Sequence, residues 1–390
     1  MDITLIRAVL NAAQFIHTAI FQKLYIVNGH HEGQAASSHS KGRYRIVGLL
    51  EFFSSDIGVD LGTANTLVYV KGKGILVRNP SVIAVDAENQ SVIAVGEKAQ
   101  RLGGRQPSNI LVRYPLRDGV ITDLDIAYKL LQQVLEQAQI SRSLFPPRLI
   151  MAVPNGATTI EQRALQDIAE QAGAKEVFII DEAIAAAIGA GLPIDKPLGN
   201  MIVDIGGGTT EVAVLSLCGV LSSQSLRVAG AQMDDVIYQS LKRDYDFWVG
   251  EQTAQSIKHQ LGSAEFNSQW DNVKMEIGGC SLNSRLPKQL TLTGMEVREM
   301  LHKEVALIAR TVQQTLEQTT PEIASDIYTN GLMLCGGGSL LKGLDEFICR
   351  ETGVFVHVAP NPMDCVALGI GEILENRQRW ERVWKHWKRQ

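Results

Sequence analysis

Two short stretches of the chain carry the residue types that hold phosphate. Asp60, Gly62, Thr63, Ala64, Asn65 and Thr66 form the first; Asp204, Gly206, Gly207, Gly208, Thr209 and Thr210 form the second. Each sets a carboxylate ahead of a turn of small residues, with a hydroxyl (Thr63, Thr209) beside it. Glycine backbone lets N–H groups approach an anion with no Cβ in the way. A carboxylate next to such a turn suits Mg2+, which keeps several waters and takes one or two carboxylates. A single turn of this kind is also a common hairpin. The two stretches, however, keep a constant offset (204 − 60 = 144; 210 − 66 = 144), and Val68 and Val70 recur as Val212 and Val214. Repetition of Asp, Gly and Thr in register predicts two halves of similar build whose turns clamp a triphosphate between them.

The elements that must position these turns are legible around them. Ile57, Val59 and Leu61 lead into the first turn and Leu67, Val68 and Val70 lead out; Met201, Ile202 and Val203 enter the second. Apolar, largely β-branched residues on both sides of a glycine turn predict hairpins. Further strands are expected at 75–77, 81–85, 92–95, 148–153 and 177–180. Helices are expected at 126–139, 158–172, 183–191, 233–244, 251–261 and 294–318. This alternation predicts sheets layered with helices. A strand at 331–335 runs into Gly336, Gly337, Gly338 and Ser339, with a helix expected from Leu340, a third point of close ligand approach. The small-residue helix 367–374 reads as a hinge between the halves.

Composition narrows the function. A chain of 390 residues is long enough for two cored domains. The net charge of −5 argues against general nucleic-acid binding. Five scattered cysteines without a CxxC pair fit a reducing compartment, and no apolar run reaches the length of a membrane span. Residues 1–55 stand apart. Ile3, Ile6, Leu10, Ala13, Ile16, Ile20 and Leu24 make an amphipathic stripe, followed by a linker rich in His, Gly and Ser. A short basic and apolar stretch, 43–53, follows; an interfacial membrane anchor, a helix docked on the body and an arm with no function are all open here.

Five stretches in order, 60–70, 181–193, 202–214, 334–343 and 365–369, resemble the nucleotide-site and hinge motifs of the actin-like ATPase superfamily. Within it, residues 56–375 resemble the MreB family of bacterial actin homologues. The resemblance implies an α/β fold: two ribonuclease-H-like domains around a central nucleotide cleft, each with an inserted subdomain. The expected organisation is an N-terminal extension at 1–55 and domain I at 56–200 with an inset near 81–112. Domain II would then span 201–375 with an inset near 232–292, leaving a basic, Trp-containing tail at 376–390.

The same resemblance implies ATP and Mg2+ as cofactors. Thr63, Ala64 and Asn65 would form the first phosphate loop and Gly206, Gly207 and Gly208 the second. Gly336, Gly337, Gly338 and Ser339 would hold adenosine together with Glu251, Ala254, Gln255, Ser256, Ile257 and Lys258. Asp60 and Asp204 would hold Mg2+ through water, and Glu182 with Thr209 would orient the attacking water. Such hydrolysis relies on positioning and charge neutralisation. The chain departs from the family pattern at Ala183, where proline is usual, at Ala231, where Asp is usual, and at Cys335, where Thr is usual. These changes bear on hydrolysis and its coupling to assembly.

The function implied is a slow Mg-ATPase that polymerises, by resemblance as antiparallel double protofilaments, at the cytoplasmic face of the inner membrane. There it would direct rod shape with cell-wall elongation proteins, and with no nucleic-acid partner. Leu144 and Phe145 match the family's membrane-contacting loop; capping of the core is the other role open to them. Trp380, Trp384 and Trp387 share one face of the tail, suited to an anionic interface or to packing on the body. Three rivals share the nucleotide clamp. A heat-shock-type chaperone needs a substrate domain after Glu375, where only a short tail follows, and a sugar kinase needs a base and acceptor pocket not apparent here. A non-hydrolysing paralogue stays open, given Ala183 and Ala231.

Overall fold

The computed structural model describes residues 56–138 and 146–383. The extension at 1–55, the Leu144–Phe145 pair and the last residues from Trp384 lie outside the described residues. The first half opens with an antiparallel meander, β1 (Asp56–Leu61), β2 (Asn65–Val70) and β3 (Gly74–Pro80). An inset follows: β4 (Ile83–Asp86), β5 (Val92–Val95), the short helix α1 (Glu97–Leu102) and β6 (Ile110–Arg113). The two-residue strands β7 (Leu116–Arg117) and β8 (Val120–Ile121) lead to α2 (Leu124–Gln137). Then β9 (Arg148–Val153), α3 (Thr159–Gln171), β10 (Glu176–Asp181) and α4 (Glu182–Gly189) complete this half.

The second half starts with β11 (Asn200–Ile205), β12 (Thr210–Ser216) and β13 (Gly219–Leu226). Its inset holds α5 (Gly230–Tyr245), β14 (Phe247–Trp248), α6 (Glu251–Leu261), α7 (Ser268–Asp271), β15 (Lys274–Ser281) and β16 (Pro287–Thr293). The chain ends with α8 (Gly294–Glu317), α9 (Pro321–Asn330), β17 (Leu332–Cys335), α10 (Leu344–Thr352), β18 (Val356–Val358) and α11 (Cys365–Glu375).

The repeat in sequence is a repeat in topology. One sheet runs β3-β2-β1-β9-β10 and the other β13-β12-β11-β17-β18, each an antiparallel meander extended by two strands parallel to its first. Side-chain alternation sends each strand's two faces into different cores. In β9, Leu149, Met151 and Val153 join an outer core with α2 and α3, while Ile150 and Ala152 face a central one. In β12, Val212 and Val214 face the outer core of the second half, and Ala213 and Leu215 the central one. Cover on both faces explains why β11 and β12 are buried along their whole length. At roughly 1.5–3 kcal/mol per fully buried aliphatic side chain, these strands anchor the fold.

The central core is a pair of helices, α4 and α11. They cross so closely that a β-carbon on Gly189 would overlap the Cys365 carbonyl, and one on Gly369 the Ala185 carbonyl. The run Ala185–Ala187 keeps the same face small. Although α11 comes late in the chain, it packs on the first sheet, with Ile370 over Gly58 and the Tyr69 ring against Gly371. The hinge-like segment expected at 367–374 is thus a helix bridging the two halves. The tail docks as well: Trp380 is 2% exposed in the central core and its indole N–H donates to Glu372 at 3.3 Å. Arg379 pairs with Asp195 at 3.1 Å. Of the two roles open to the Trp face, packing on the body applies to Trp380.

One expected element is corrected. After Gly338 the chain forms only a 3-10 turn, Gly337–Leu340, and the α-helix begins four residues later at Leu344. Gly343, at φ +69°, supplies the left-handed bend that separates them. Capping boxes set two other helix starts, Thr158 with Glu161 and Thr293 with Glu296. No helix among the described residues is long and apolar enough to cross a membrane.

Candidate nucleotide cleft

The two glycine-bearing turns lie at equivalent points of the two sheets, between β1 and β2 and between β11 and β12, and they meet. A β-carbon on Gly207 would stand 2.5 Å from Ala64 Cβ and 2.9 Å from Ala64 N. Gly208 faces the Thr63 hydroxyl just as closely, and Thr63 Oγ1 accepts from the Gly119 N–H at 3.0 Å. Gly119 in turn abuts Thr209 and lies near Pro154. Gly207, Gly208 and Gly119 have no room for a side chain here, so any larger residue at these positions would push the halves apart.

Three further segments close on the second turn. Gly230 and Ala231 donate backbone N–H groups to Gly206 O (3.1 Å) and Gly207 O (2.7 Å). Lys258 of α6 donates to Gly230 O at 2.6 Å and pairs with Asp234 at 2.9 Å, which brings a cation next to the glycine turn. Gly336 adopts φ +76° under Asp204 and Ile205, and its N–H donates to Pro362 O at 2.8 Å. Ser339, buried, spends its hydroxyl on Gly336 O at 2.7 Å. The remaining α6 positions divide. Ala254 and Ile257 point into the outer core, so only their backbone faces outward, while Gln255 and Ser256 stay partly exposed. Burial raises the Tyr114 phenol of the first half, and the charge of Glu251 adds to it. Gln252 donates to Gln100 O, so α6 touches α1 across the mouth of the cleft. Beside Asn65 a cavity of about 400 Å3 opens toward Arg78 and the Met363–Asp364 turn. Arg78 and Asp364 join across it in a two-point ion pair at 3.1 and 2.8 Å.

Electrostatics single out the centre. Burial lifts Asp60 to about 7, with the Asp204 charge adding to it, and lifts Asp204 to about 6. Glu182, the first residue of α4, is pushed well up by burial and then by Asp204, Asp60, Glu211 and Asp181. Asp181 caps α4 by accepting from Ala183 N at 2.9 Å, and burial raises it too. Glu211, which sequence reasoning missed, is raised to about 7 chiefly by burial, against the opposing hydrogen bonds from Ser225 and the Asn155 amide. The signal for it was a carboxylate opening the apolar run Val212–Leu215. Glu182 thus lies within electrostatic reach of the other four carboxyl groups.

Mg2+ is the cation that the chemistry of the donors fits. Among the described residues no three metal-capable side chains converge closely enough to ligate an ion directly. The carboxylates therefore suit a cation held through its own waters and shared with phosphate oxygens, the usual habit of Mg2+, and not a protein-built cage.

Comparison with known proteins places this geometry. Residues 54–382 match the family model described as MreB/Mbl protein. The chain is 46% identical over 329 residues to the cell shape-determining protein MreB of Escherichia coli (strain K12), spanning 83% of this chain and 94% of that protein. It is 42% identical over 327 residues to the cell shape-determining protein Mbl of Bacillus subtilis (strain 168), spanning 84% and 98%. Among solved structures it is similar to MreB5 of Spiroplasma citri bound to ADP, with a TM-score of 0.79 and 34% identity over 84% of this chain and 98% of that one. The subunit of a MamK double helical filament shares the fold alone, at TM-score 0.69 and 21% identity over 83% and 99%.

Proposed function

The chain belongs to the MreB/Mbl family of actin-like, cell shape-determining proteins, and from that premise we propose that it is a cytoskeletal ATPase. It binds Mg-ATP between its two sheets and assembles into filaments at the inner face of the cytoplasmic membrane. The observation that carries this reading is the meeting of Gly207 with Ala64 and of Gly208 with Thr63, beside the buried carboxylates Asp60 and Asp204. Small backbone turns from both halves supply N–H groups for the β- and γ-phosphates, so the nucleotide's own length determines how far the halves close. Thr63, Ala64 and Asn65 serve one side and Gly206, Gly207 and Gly208 the other. Gly336 to Ser339 and α6 from Glu251 to Lys258 line the adenosine.

Mg2+, when bound, neutralises phosphate charge that the acidic cluster would otherwise repel. Asp60 and Asp204 would hold it through its waters. Glu182, raised by burial, accepts a hydrogen bond from the attacking water, with Thr209 beside it. A solved MreB5 bound to AMPPNP and a MamK filament support nucleotide binding and self-association for this chain by analogy. Contact of Leu144 and Phe145 with lipid, and recruitment of wall-elongation proteins, belong to the same reading.

Calorimetric titration of the full chain with Mg-AMPPNP tests the site. One-to-one binding that is abolished in Gly208→Val, with the thermal transition retained, is the expected result. Equal affinity in the variant would place the nucleotide elsewhere. Flotation with anionic vesicles tests the membrane arm, which Leu144→Ser combined with Phe145→Ser should weaken.

A further inference from the structure

We propose that Gln252 and Gln100 form a latch across the mouth of the cleft, one that sets how fast nucleotide enters and leaves. The inference rests on the ATPase reading above and gives it a gate outside the glycine-bearing turns. Gln252, in the first turn of α6, donates its side-chain amide to the Gln100 carbonyl near the end of α1. The two helices belong to the insets of different halves. The same carbonyl accepts the Gly103 N–H at 3.0 Å, so the Gln252 amide is a second donor to a helix-end oxygen.

Gly103 makes the room for this contact. Its φ of −52° and ψ of 124° are open to any residue, so the backbone does not call for glycine. Space does. A β-carbon there would stand 2.9 Å from Gln252 Nε2 and 3.1 Å from Gln100 O, inside the gap that the amide uses.

The latch completes a ring. In the first half, Ser81 at the base of the inset donates from Oγ to Gly62 O at 2.6 Å and from its N–H to Ala64 O at 2.8 Å. These bonds tie the inset to its glycine-bearing turn, and Ala99 and Leu102 pack α1 onto the inset sheet. In the second half, Lys258 of α6 donates to Gly230 O, and the Gly230 N–H donates to Gly206 O. Each inset is thus fastened to its own turn. The turns meet at Gly207 and Ala64, and the insets meet at Gln252 and Gln100. Nucleotide held on the turns passes the mouth when the amide lets go of the carbonyl. Because that amide is spent on the protein and not on the ligand, breaking it lowers the barrier in both directions and leaves affinity alone.

The test is stopped-flow fluorescence of the full chain with Mg2+ and N-methylanthraniloyl-ADP, following binding and then displacement by excess ADP. Gln252→Ala should speed entry and release together by roughly 3- to 10-fold, the worth of one amide–carbonyl hydrogen bond, with Kd within about twofold. Gly103→Ala should do the same by displacing the amide. Its melting temperature should stay level or rise, as expected for Gly→Ala at an ordinary backbone conformation. The double variant should be no faster than the quicker single one, since both changes break one contact. Wild-type rates in both single variants would overturn the latch and leave nucleotide binding standing. Faster release with a matching loss of affinity would also overturn it, by making Gln252 a ligand contact. Should one variant fail to fold, the other decides. A wild-type chain that binds no labelled ADP overturns the ATPase reading, and the latch with it.

Discussion

Gly207 and Ala64 touch across the cleft, 2.5 Å from an imagined β-carbon on the first to the Cβ of the second. They belong to turns at the same point of two sheets with the same strand order, so the contact closes an internal two-fold repeat on itself. A ligand with several charged oxygens is what such a seam admits, and pairing of its oxygens with both turns couples ligand binding to closure.

Gly207→Ala should therefore weaken ATP binding more than it weakens the fold. The added methyl can be relieved by opening the halves, at a cost of about 1–3 kcal/mol for overpacking. Affinity for Mg-AMPPNP should fall by roughly 10- to 100-fold. Calorimetry checks it, and an unchanged Kd would mean that the turns do not close on the nucleotide.

The buried carboxylates predict an unusual pH dependence. Asp60, Asp204 and Glu211 are raised in the folded state, so the native protein holds more protons than the unfolded chain above the ordinary carboxylate range. Stability then falls as pH rises from about 4 to about 7. Groups held low, such as Asp195 and Glu296, act only below that window. Without nucleotide or divalent cation, the melting temperature should drop between pH 5 and 7.5, and Mg-ATP should flatten the slope. A flat profile in the free protein would contradict the electrostatic picture.

The crossing of α4 and α11 leaves no room for a side chain. Gly369→Val would drive methyl groups into the Ala185 carbonyl region, an overpacking cost of about 1–3 kcal/mol or more. A melting temperature lower by several degrees is expected. Reduced coupling between nucleotide binding and assembly should accompany it, since these helices link the sheets. Differential scanning calorimetry with a pelleting assay reads both.

Trp380 holds the tail to the central core. Trp380→Ala should cost about 3–5 kcal/mol through the cavity it leaves. Vesicle binding at matched folded concentration should be unaffected, because the ring is spent on the body. Loss of flotation without loss of stability would return Trp380 to the membrane.

Much of this architecture was legible because the glycine-bearing turns leave few choices of residue. Asp60, Gly62 and Thr66 recur at one offset as Asp204, Gly206 and Thr210, and a matching sheet order followed from that register. Helix 251–261 was read to the residue, bounded by Gly250 and Gly262. Other features depend on tertiary contact and were hidden. That α11 lies on the first sheet is decided by Gly58 and Gly371, whose small size pairs them with Ile370 and Tyr69 only once the chain has folded. Glu211 reads as a polar residue at a strand start, and its significance appears only beside Asp204 and Ser225. The late start of α10 follows from a local competition, in which three glycines favour a tight turn over a helix.

The central claim is that nucleotide in this cleft controls assembly, and sedimentation of the purified full chain tests it most directly. Protein would be spun with Mg-ATP, with Mg2+ chelated, and as Glu182→Ala with Mg-ATP, and the pellets viewed by negative-stain microscopy. The account predicts filaments with Mg-ATP, none after chelation, and filaments that persist longer in Glu182→Ala because hydrolysis no longer limits their lifetime. Protein that stays in the supernatant in all three conditions, or pellets equally in all three, would contradict it.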